Sequence, residues 1–219
     1  MTKHFKIRTD LSKEYIGHTL YRIEALKDLP YHGVKKGDLG GYIEKNDNLC
    51  DNAWVYDNAK VFGNAKVYDN AKVFDNAKVF GNVDIFGNAK VYGNADIYGN
   101  AKVRDNASVY GDADIYGNAE VFGNAEIFGN AWIYGNAEVI DDKIYACKGV
   151  LNITSYNIYN ITITTNYIKI GCKFYKKEEW FNFSDKEILK MDGKKGLDFW
   201  KTWKPILKLI SKEVNNDKK

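Results

Sequence analysis

Histidine is the side chain in this protein best suited to acid–base chemistry at neutral pH. The three histidines, His4, His18 and His32, all precede the main body of the chain. Imidazole titrates near neutrality, so each could serve as a general base. No Ser–His–Asp arrangement, phosphate-binding loop or cysteine–histidine metal motif accompanies them. The sequence therefore predicts no catalytic residue, no metal and no cofactor, and it leaves His32 as the candidate base if the protein is an enzyme.

Lys102 and Arg104 are the residues with the clearest potential for anion binding. The stretch GNAKVYGNADIYGNAKVRDNASVY (Gly87–Tyr110) places Arg104 where neighbouring repeats have an aromatic residue. Two interpretations remain open. Arg104 could stack between Phe86 and Phe122 through cation–π contacts. Alternatively, the basic pair could bind a phosphate or carboxylate group.

Cysteine usage and charge limit the environment and the partners. Cys50, Cys147 and Cys172 are odd in number and widely spaced, which is typical of reduced thiols in a cytoplasm. With 32 basic and 29 acidic side chains, the net charge of +3 gives no direct indication of nucleic-acid binding. No signal sequence or long apolar run is present, so we expect a cytoplasmic protein that does not enter a membrane.

A six-residue repeat occupies the middle of the chain. The 90 residues of Asp51–Ile140 form fifteen units that read Gly or Asp, Asn, Ala, a variable residue, Val or Ile, and usually an aromatic residue. The fifth position is Val or Ile in every unit. Alternation turns the Ala and Val or Ile side chains to one side and the variable and aromatic side chains to the other. Such strict repetition predicts a stacked architecture.

The Gly-Asn and Asp-Asn pairs predict a corner after every short strand, because Gly and Asn tolerate a left-handed backbone. Strands of this length cannot form hairpins but can stack in parallel, stabilised by buried aliphatic residues and by Asn ladders. The sequence therefore predicts a mainly β fold, a parallel β-helix. Glycine corners recur equally well at spacings of 18 and 24 residues, which leaves the number of units per turn open.

The words VYGNAK and IFGNAE resemble the hexapeptide repeat of left-handed β-helix proteins, over roughly residues 43–139. The resemblance implies three units, about 18 residues, in each triangular turn, and a homotrimer. Most enzymes of that family are acyltransferases with a histidine base, which would be His32 here. In those enzymes the residue after the aliphatic position is usually small or acidic, whereas here it is Tyr or Phe, and no loop interrupts the repeat. We therefore expect no acyl transfer.

The segment HTLYRIEALKDLPYHGVKKGDLGGYIE (His18–Glu44) resembles the N-termini of bacterial and bacteriophage hexapeptide proteins that are often labelled transferases. That resemblance implies a protein of phage or prophage type, located in the cytoplasm of a bacterium or of an infected host cell.

Three parts are expected along the chain: an N-terminal β cap at 1–42, the repeat β-helix at 43–145, and a C-terminal strand and helix cap at 146–219. Within the first part, Leu20–Leu26 is typical of a strand. Glycines are expected to bend the chain into the first turn at Gly37, Gly40 and Gly41.

The C-terminal part contains a helical pattern. Ser184 and Glu187 have the spacing of a capping box. An apolar stripe follows at helical spacing, formed by Phe199, Trp203, Ile206, Leu207 and Ile210. This stripe could pack on the last turn of the β-helix or contact a partner, and we favour the first interpretation.

The outward side chains carry the functional prediction. More aromatic surface would point outward than a monomer normally exposes, which predicts a covering subunit or partner. Lysines predominate early in the repeat and glutamates late, which indicates either oriented docking or solubilising charge that happens to be segregated. The candidate binding residues are Trp54, Phe86, Lys102, Arg104, Phe122 and Trp132.

We therefore predict a non-enzymatic binding protein that acts through its aromatic and charged outer faces. Its expected partners are further copies of itself, a host protein or a nucleotide. One alternative is a phage counter-defence inhibitor that binds a host nuclease or effector, or sequesters a nucleotide signal. The other alternative is an acyl-CoA-dependent acyltransferase.

Overall fold

The computed structural model describes residues 3–145, 151–154 and 159–214. The chain divides into two compact units, Met1–Ala146 and Cys147–Lys219. The first unit is a parallel β-solenoid of about 6 turns that begins with an antiparallel cap. The second unit combines an antiparallel sheet with helices.

The cap is an antiparallel extension of one sheet of the solenoid. Strand β1 (Phe5–Tyr15) pairs with β2 (His18–Ala25), which pairs with β3 (Leu39–Ile43). The end of β3 then pairs in parallel with the strand Lys60–Val61, so the cap and the solenoid share backbone hydrogen bonds. Strand β2 confirms the strand predicted at Leu20–Leu26. Strand β1 is a further strand that the sequence pattern does not predict.

The solenoid consists of short strands separated by corners. In chain order the strands are β4 (Trp54–Val55), β5 (Lys60–Val61), β6 (Lys66–Val67), β7 (Lys72–Val73), β8 (Lys78–Val79), β9 (Asp84–Ile85), β10 (Lys90–Val91), β11 (Asp96–Ile97), β12 (Lys102–Val103), β13 (Ser108–Val109), β14 (Asp114–Ile115), β15 (Glu120–Phe122), β16 (Glu126–Phe128), β17 (Trp132–Ile133), β18 (Glu138–Ile140) and β19 (Lys143–Tyr145).

Every third strand belongs to the same sheet, which gives the solenoid three faces. Face 1 contains β5, β8, β11, β14 and β17; face 2 contains β4, β7, β10, β13, β16 and β19; face 3 contains β6, β9, β12, β15 and β18. Lys90 is paired in parallel with Lys72 on one side and with Ser108 on the other. Each turn therefore takes 18 residues, which decides between the two spacings that the glycine pattern leaves open.

The interior of the solenoid is filled by the two inward positions of the repeat. From Ala53 to Val139 these Ala, Val and Ile side chains are fully buried. Each buried Val or Ile side chain contributes about 1.5–3 kcal/mol, and the stacked turns bury these side chains in continuous columns. The predicted inward pattern is confirmed.

The corners combine a left-handed residue with a side-chain ladder. The Gly or Asp at the first position of every unit has a positive φ, between 50° at Asp57 and 83° at Gly81. The following Asn is expected to share the left-handed backbone, but no described Asn has a positive φ. In many units its side-chain amide instead donates to the Asn at the same position one turn on. The longest predicted ladder is confirmed at Asn64, Asn82, Asn100, Asn118 and Asn136, with spacings of 3.0–3.1 Å.

Gly40 and Gly41 permit close packing rather than a bend. Both lie inside or beside the extended backbone of β3, and only Gly37 of the three predicted bending residues has a positive φ. A Cβ atom on Gly40 would lie 2.5 Å from the carbonyl oxygen of Val55, and one on Gly41 would lie 2.7 Å from that of Tyr56. The cap can therefore approach the first turn only because these side chains are absent.

The C-terminal unit is a four-stranded antiparallel sheet with two helical segments. Its elements are β20 (Leu151–Thr154), β21 (Asn160–Ile163), β22 (Tyr167–Ile170), β23 (Lys173–Lys176), α1 (Lys177–Asn182) and α2 (Asp185–Val214). Helix α2 is kinked at Asp192 and Gly193, whose backbone is not helical.

The predicted helical signals are confirmed in part. Glu187 accepts hydrogen bonds from the Ser184 backbone N–H at 2.8 Å and from its hydroxyl at 2.7 Å, so the capping box is present. Phe199 and Leu207 of the predicted stripe are buried in the core of this unit, whereas Ile206 is exposed. Packing of the stripe on the last turn of the solenoid stays a prediction.

Candidate functional site

Aromatic ladders run along the outer faces of the solenoid. On face 1 the ladder is Phe62, Phe80, Tyr98, Tyr116 and Tyr134, with ring centroids 5.0–5.6 Å apart. On face 2 the stacked part is Phe74, Tyr92, Tyr110 and Phe128, with spacings of 4.5–5.3 Å. Face 3 has a shorter stack of Tyr68 and Phe86 at 4.9 Å.

The stacking determines which part of each ring a partner can touch. Neighbouring rings are nearly parallel, at 4° to 16° in these stacks, so each ring covers the flat surfaces of its neighbours. Most of the rings are consequently half-buried. The ladders present ring edges and tyrosine hydroxyls to the outside, and their interior leaves no flat surface for a ligand ring to stack on.

Trp132 and Tyr134 are more exposed than the stacked rings of the ladders. Trp132 is 49% exposed and Tyr134 is 39% exposed, and both belong to the last unit of the face 1 ladder. Because Tyr134 has a stacked neighbour only on the Tyr116 side, one flat surface of its ring remains uncovered among the described residues. This exposed aromatic pair includes one of the predicted binding residues, Trp132.

Trp54 is not an exposed binding residue, so this part of the prediction is wrong. Its side chain points outward from the first turn as expected, but the cap covers it and leaves 1% exposed. The His4 ring lies 6.1 Å from the Trp54 ring and hydrogen-bonds through Nε2 to the carbonyl oxygen of Ala53 at 2.9 Å. The hexad pattern gives the direction of a side chain but contains no information about what the N-terminal segment covers.

Arg104 and Lys102 are both neutralised by nearby carboxylates. The Arg104 guanidinium lies 2.9 Å from Asp105 and 3.7 Å from Glu120, and the Lys102 ammonium lies 3.1 Å from Glu120. The guanidinium carbon of Arg104 also lies 3.8 Å from the centroid of the Phe122 ring. These contacts favour the cation–π interpretation over an anion site, with Phe122 as the partner ring.

Charges of opposite sign pair along the axis. Lys78 lies 2.9 Å from Asp96, one turn further on. Lys143 likewise lies 3.0 Å from Glu126, one turn back. Part of the charge that is segregated in the sequence is therefore compensated between turns.

His32 is enclosed within the cap, with 8% of the residue exposed. The Tyr56 hydroxyl donates to the His32 carbonyl at 3.1 Å, so the ring Nδ1, 3.0 Å from the same hydroxyl oxygen, is placed to donate its proton. Burial, assisted by the positive charge of Lys72, lowers the pKa of His32 to about 4. The ring is consequently neutral at pH 7, and its buried Nε2 has no hydrogen-bond partner among the described residues.

The C-terminal unit contains an apolar cavity that no sequence motif indicates. Its volume is about 170 Å³, and Trp180, Phe199 and Trp200 contribute to its lining. Trp180 comes from α1, whereas Phe199 and Trp200 are adjacent in α2, so no local pattern marks the two helices as neighbours at this cavity. Cys172 also lines the cavity and, like Cys50, is a free thiol; Cys147 lies outside the described residues.

The described residues contain neither a metal-binding group of side chains nor a membrane-spanning helix. Across residues 3–145, 151–154 and 159–214, no three His, Cys, Asp or Glu side chains are grouped so that they could hold a metal ion. Neither described helix has both the length and the apolar character to cross a membrane. Comparison with protein-family models and with curated proteins gives no match to this chain.

Proposed function

We propose that this protein is a non-enzymatic binding protein that acts through the outer faces of its solenoid. The exposure of Trp132 and Tyr134 carries the proposal. Tryptophan and tyrosine are the residues most enriched among those that dominate binding energies, because they bury a large area at a small entropic cost. Elsewhere on the ladders the rings already cover one another, so a partner would bury the most additional aromatic surface at this end of face 1.

The partner that we propose is a further copy of this chain. A left-handed hexapeptide β-helix, as the resemblance implies, is typically a trimer. The 18-residue register and the three faces are consistent with that family. The left-handed sense of the coil and membership of the bacterial and bacteriophage subgroup remain part of the proposal.

The position of His32 supports a binding role over acyl transfer. A general base must reach the proton that it abstracts and should have a pKa near the working pH. His32 is enclosed by the cap and has a pKa of about 4, two properties that fit poorly with that task. Binding of a host nuclease or of a nucleotide stays a prediction without a specific structural observation in its favour.

Analytical ultracentrifugation of the purified chain tests the proposal. We expect self-association, and we expect Trp132→Ala to weaken the association constant by about 30-fold or more, as for a residue that contributes about 2 kcal/mol. Leu39→Ala is the matched control, because Leu39 is 48% exposed but lies in the cap at the other end of the same sheet. A protein that stays monomeric up to high micromolar concentration, or an equal effect of the two substitutions, would refute self-association through face 1.

A further inference from the structure

Three cations lie close together where the cap joins face 1 of the solenoid. Arg22 on β2 is paired in register with Tyr42 on β3, and Tyr42 is paired in register with Lys60 on β5. Successive partners on one surface of a sheet are neighbours, so these side chains lie side by side. Lys13 on β1 completes the group, which we name the cationic cluster: Lys13, Arg22 and Lys60.

Aromatic rings hold the cluster together. The Lys13 ammonium lies 3.8 Å from the centroid of the Tyr42 ring, and the Arg22 guanidinium carbon lies 4.7 Å from the same centroid. The Lys60 ammonium lies 5.1 Å from the centroid of the Tyr15 ring. Cation–π contacts favour positive charge at each position but compensate none of the repulsion between the three.

Burial makes that repulsion costly. Lys60 is only 9% exposed, whereas Lys13 and Arg22 are half-buried and open the cluster to solvent. Burial is the main cause that lowers the pKa of Lys13 and of Lys60. The positive charge of Arg22 lowers the pKa of Lys13 further, and the positive charges of Lys13 and Lys78 lower that of Lys60. The cap thus maintains a local excess of positive charge in a partly dehydrated place.

No carboxylate of the described residues forms an ion pair with the cluster. Lys60 donates to the carbonyl oxygen of Asn58 at 3.0 Å, and Arg22 donates to the carbonyl oxygens of Gly40 and Asp57. An ammonium group has three N–H donors, so Lys60 retains two beyond this bond.

Acidic side chains close to the cluster in sequence have other partners. Glu14 accepts from the Thr19 hydroxyl, and Glu44 contacts His18 and the backbone N–H of Gly63. The Asp57 carboxylate accepts from the backbone of the next turn. The cluster therefore differs from the Lys102 and Arg104 pair, whose charges are matched by carboxylates.

We infer that Lys13, Arg22 and Lys60 form a binding site for a phosphate group. An oxyanion between the three side chains would accept their remaining N–H groups and offset their mutual repulsion, which neither a cation nor an apolar ligand can do. Tyr42 and Tyr15 restrict the positions of the cations and so reduce the entropic cost of binding. The phosphate group can belong to free phosphate or to a nucleotide.

Thermal unfolding at constant ionic strength tests the site. Sodium phosphate replaces sodium chloride, and the midpoint temperature is followed as a function of phosphate concentration. We expect a saturable rise of about 3–5 °C at a tenfold excess over the dissociation constant. A nucleoside monophosphate in place of phosphate distinguishes the two sources, because it binds more tightly only if the base or sugar adds contacts.

Two substitutions separate the site from a general salt effect. In Lys13→Met the dissociation constant for phosphate is expected to rise at least tenfold, whereas in Lys90→Met, an exposed lysine on face 2, it is expected to stay unchanged. Equal responses of the two variants would overturn the proposal.

A second measurement uses the unsubstituted protein. Lysine NMR is expected to report a higher pKa for Lys13 and Lys60 when phosphate is added, but not when chloride is added. The absence of any phosphate-dependent change in these two signals would also overturn the proposal.

Discussion

Acidification is expected to destabilise the cap through protonation of His32. The ring is buried against Tyr56 and beside Lys72, so a positive charge there is unfavourable. In the unfolded chain His32 titrates near its ordinary pKa of 6.5, whereas in the folded protein its pKa is about 4. Between these values the unfolded state binds more protons than the folded state, and stability therefore falls as the pH falls.

These two pKa values determine the direction in which stability changes with pH and the pH range over which it changes. The contribution of neutral His32 is fully present above pH 6.5, decreases as the pH falls towards about 4, and changes no further below it. The full difference corresponds to about 3 kcal/mol, of which about 2 kcal/mol is lost between pH 7 and pH 5.

Urea unfolding at a series of pH values, followed by circular dichroism, measures this loss. The matched variant is His32→Gln, which keeps a polar side chain beside the Tyr56 hydroxyl but cannot titrate. The difference between the two proteins cancels the contributions of other titrating groups, including His4, whose pKa is also lowered by burial. We expect that difference to change by about 2 kcal/mol between pH 7 and pH 5.

Parallel pH profiles of the two proteins would refute the reasoning. They would mean that His32 is hydrated in solution, or that its imidazolium finds a partner when it forms. In either case burial would no longer disqualify His32 as a base.

Two further predictions concern the corners. Gly99→Ala is expected to cost about 2–4 kcal/mol, because φ is +77° and the new Cβ would lie 2.9 Å from the Gly117 nitrogen. Gly99→Asp is expected to be about 1 kcal/mol less costly than the Ala substitution, because an Asp carboxylate can accept a hydrogen bond from the backbone N–H of the next corner. Asp69 accepts such a bond from Gly87 at 3.0 Å. A larger loss of stability for Asp than for Ala in urea unfolding would contradict this. Asn100→Ala removes two ladder bonds and is expected to cost about 1–2 kcal/mol, against a few tenths for Asn70→Ala, and equal midpoint shifts would contradict a stabilising ladder.

The repeat by itself determines most of the solenoid. Alternation within six residues fixes which side chains point inward, and the fifth-position Val or Ile residues are buried as predicted. Each unit folds by the same local rule, so a short pattern repeated fifteen times is sufficient to specify strand, corner and core. The capping box at Ser184 is local in the same sense, and it too is confirmed.

Features that depend on contacts between distant segments are decided by the tertiary structure alone. The glycine pattern permits two turn lengths, and only the pairing of Lys72 with Lys90 selects 18 residues. Trp54 has the outward direction that the repeat assigns to it, yet the N-terminal segment buries it.

The charged residues also show which features the sequence determines and which depend on the tertiary structure. Arg104 is visible in the sequence because it breaks the repeat, and Asp105 is its neighbour in the chain. Its second carboxylate partner, Glu120, lies one turn away and is fixed by the coil register. Lys13, Arg22 and Lys60 share no sequence motif, and they become neighbours because four strands, β1, β2, β3 and β5, pair side by side. Periodicity encodes the direction of a side chain, whereas its neighbours depend on long-range pairing that no six-residue window contains.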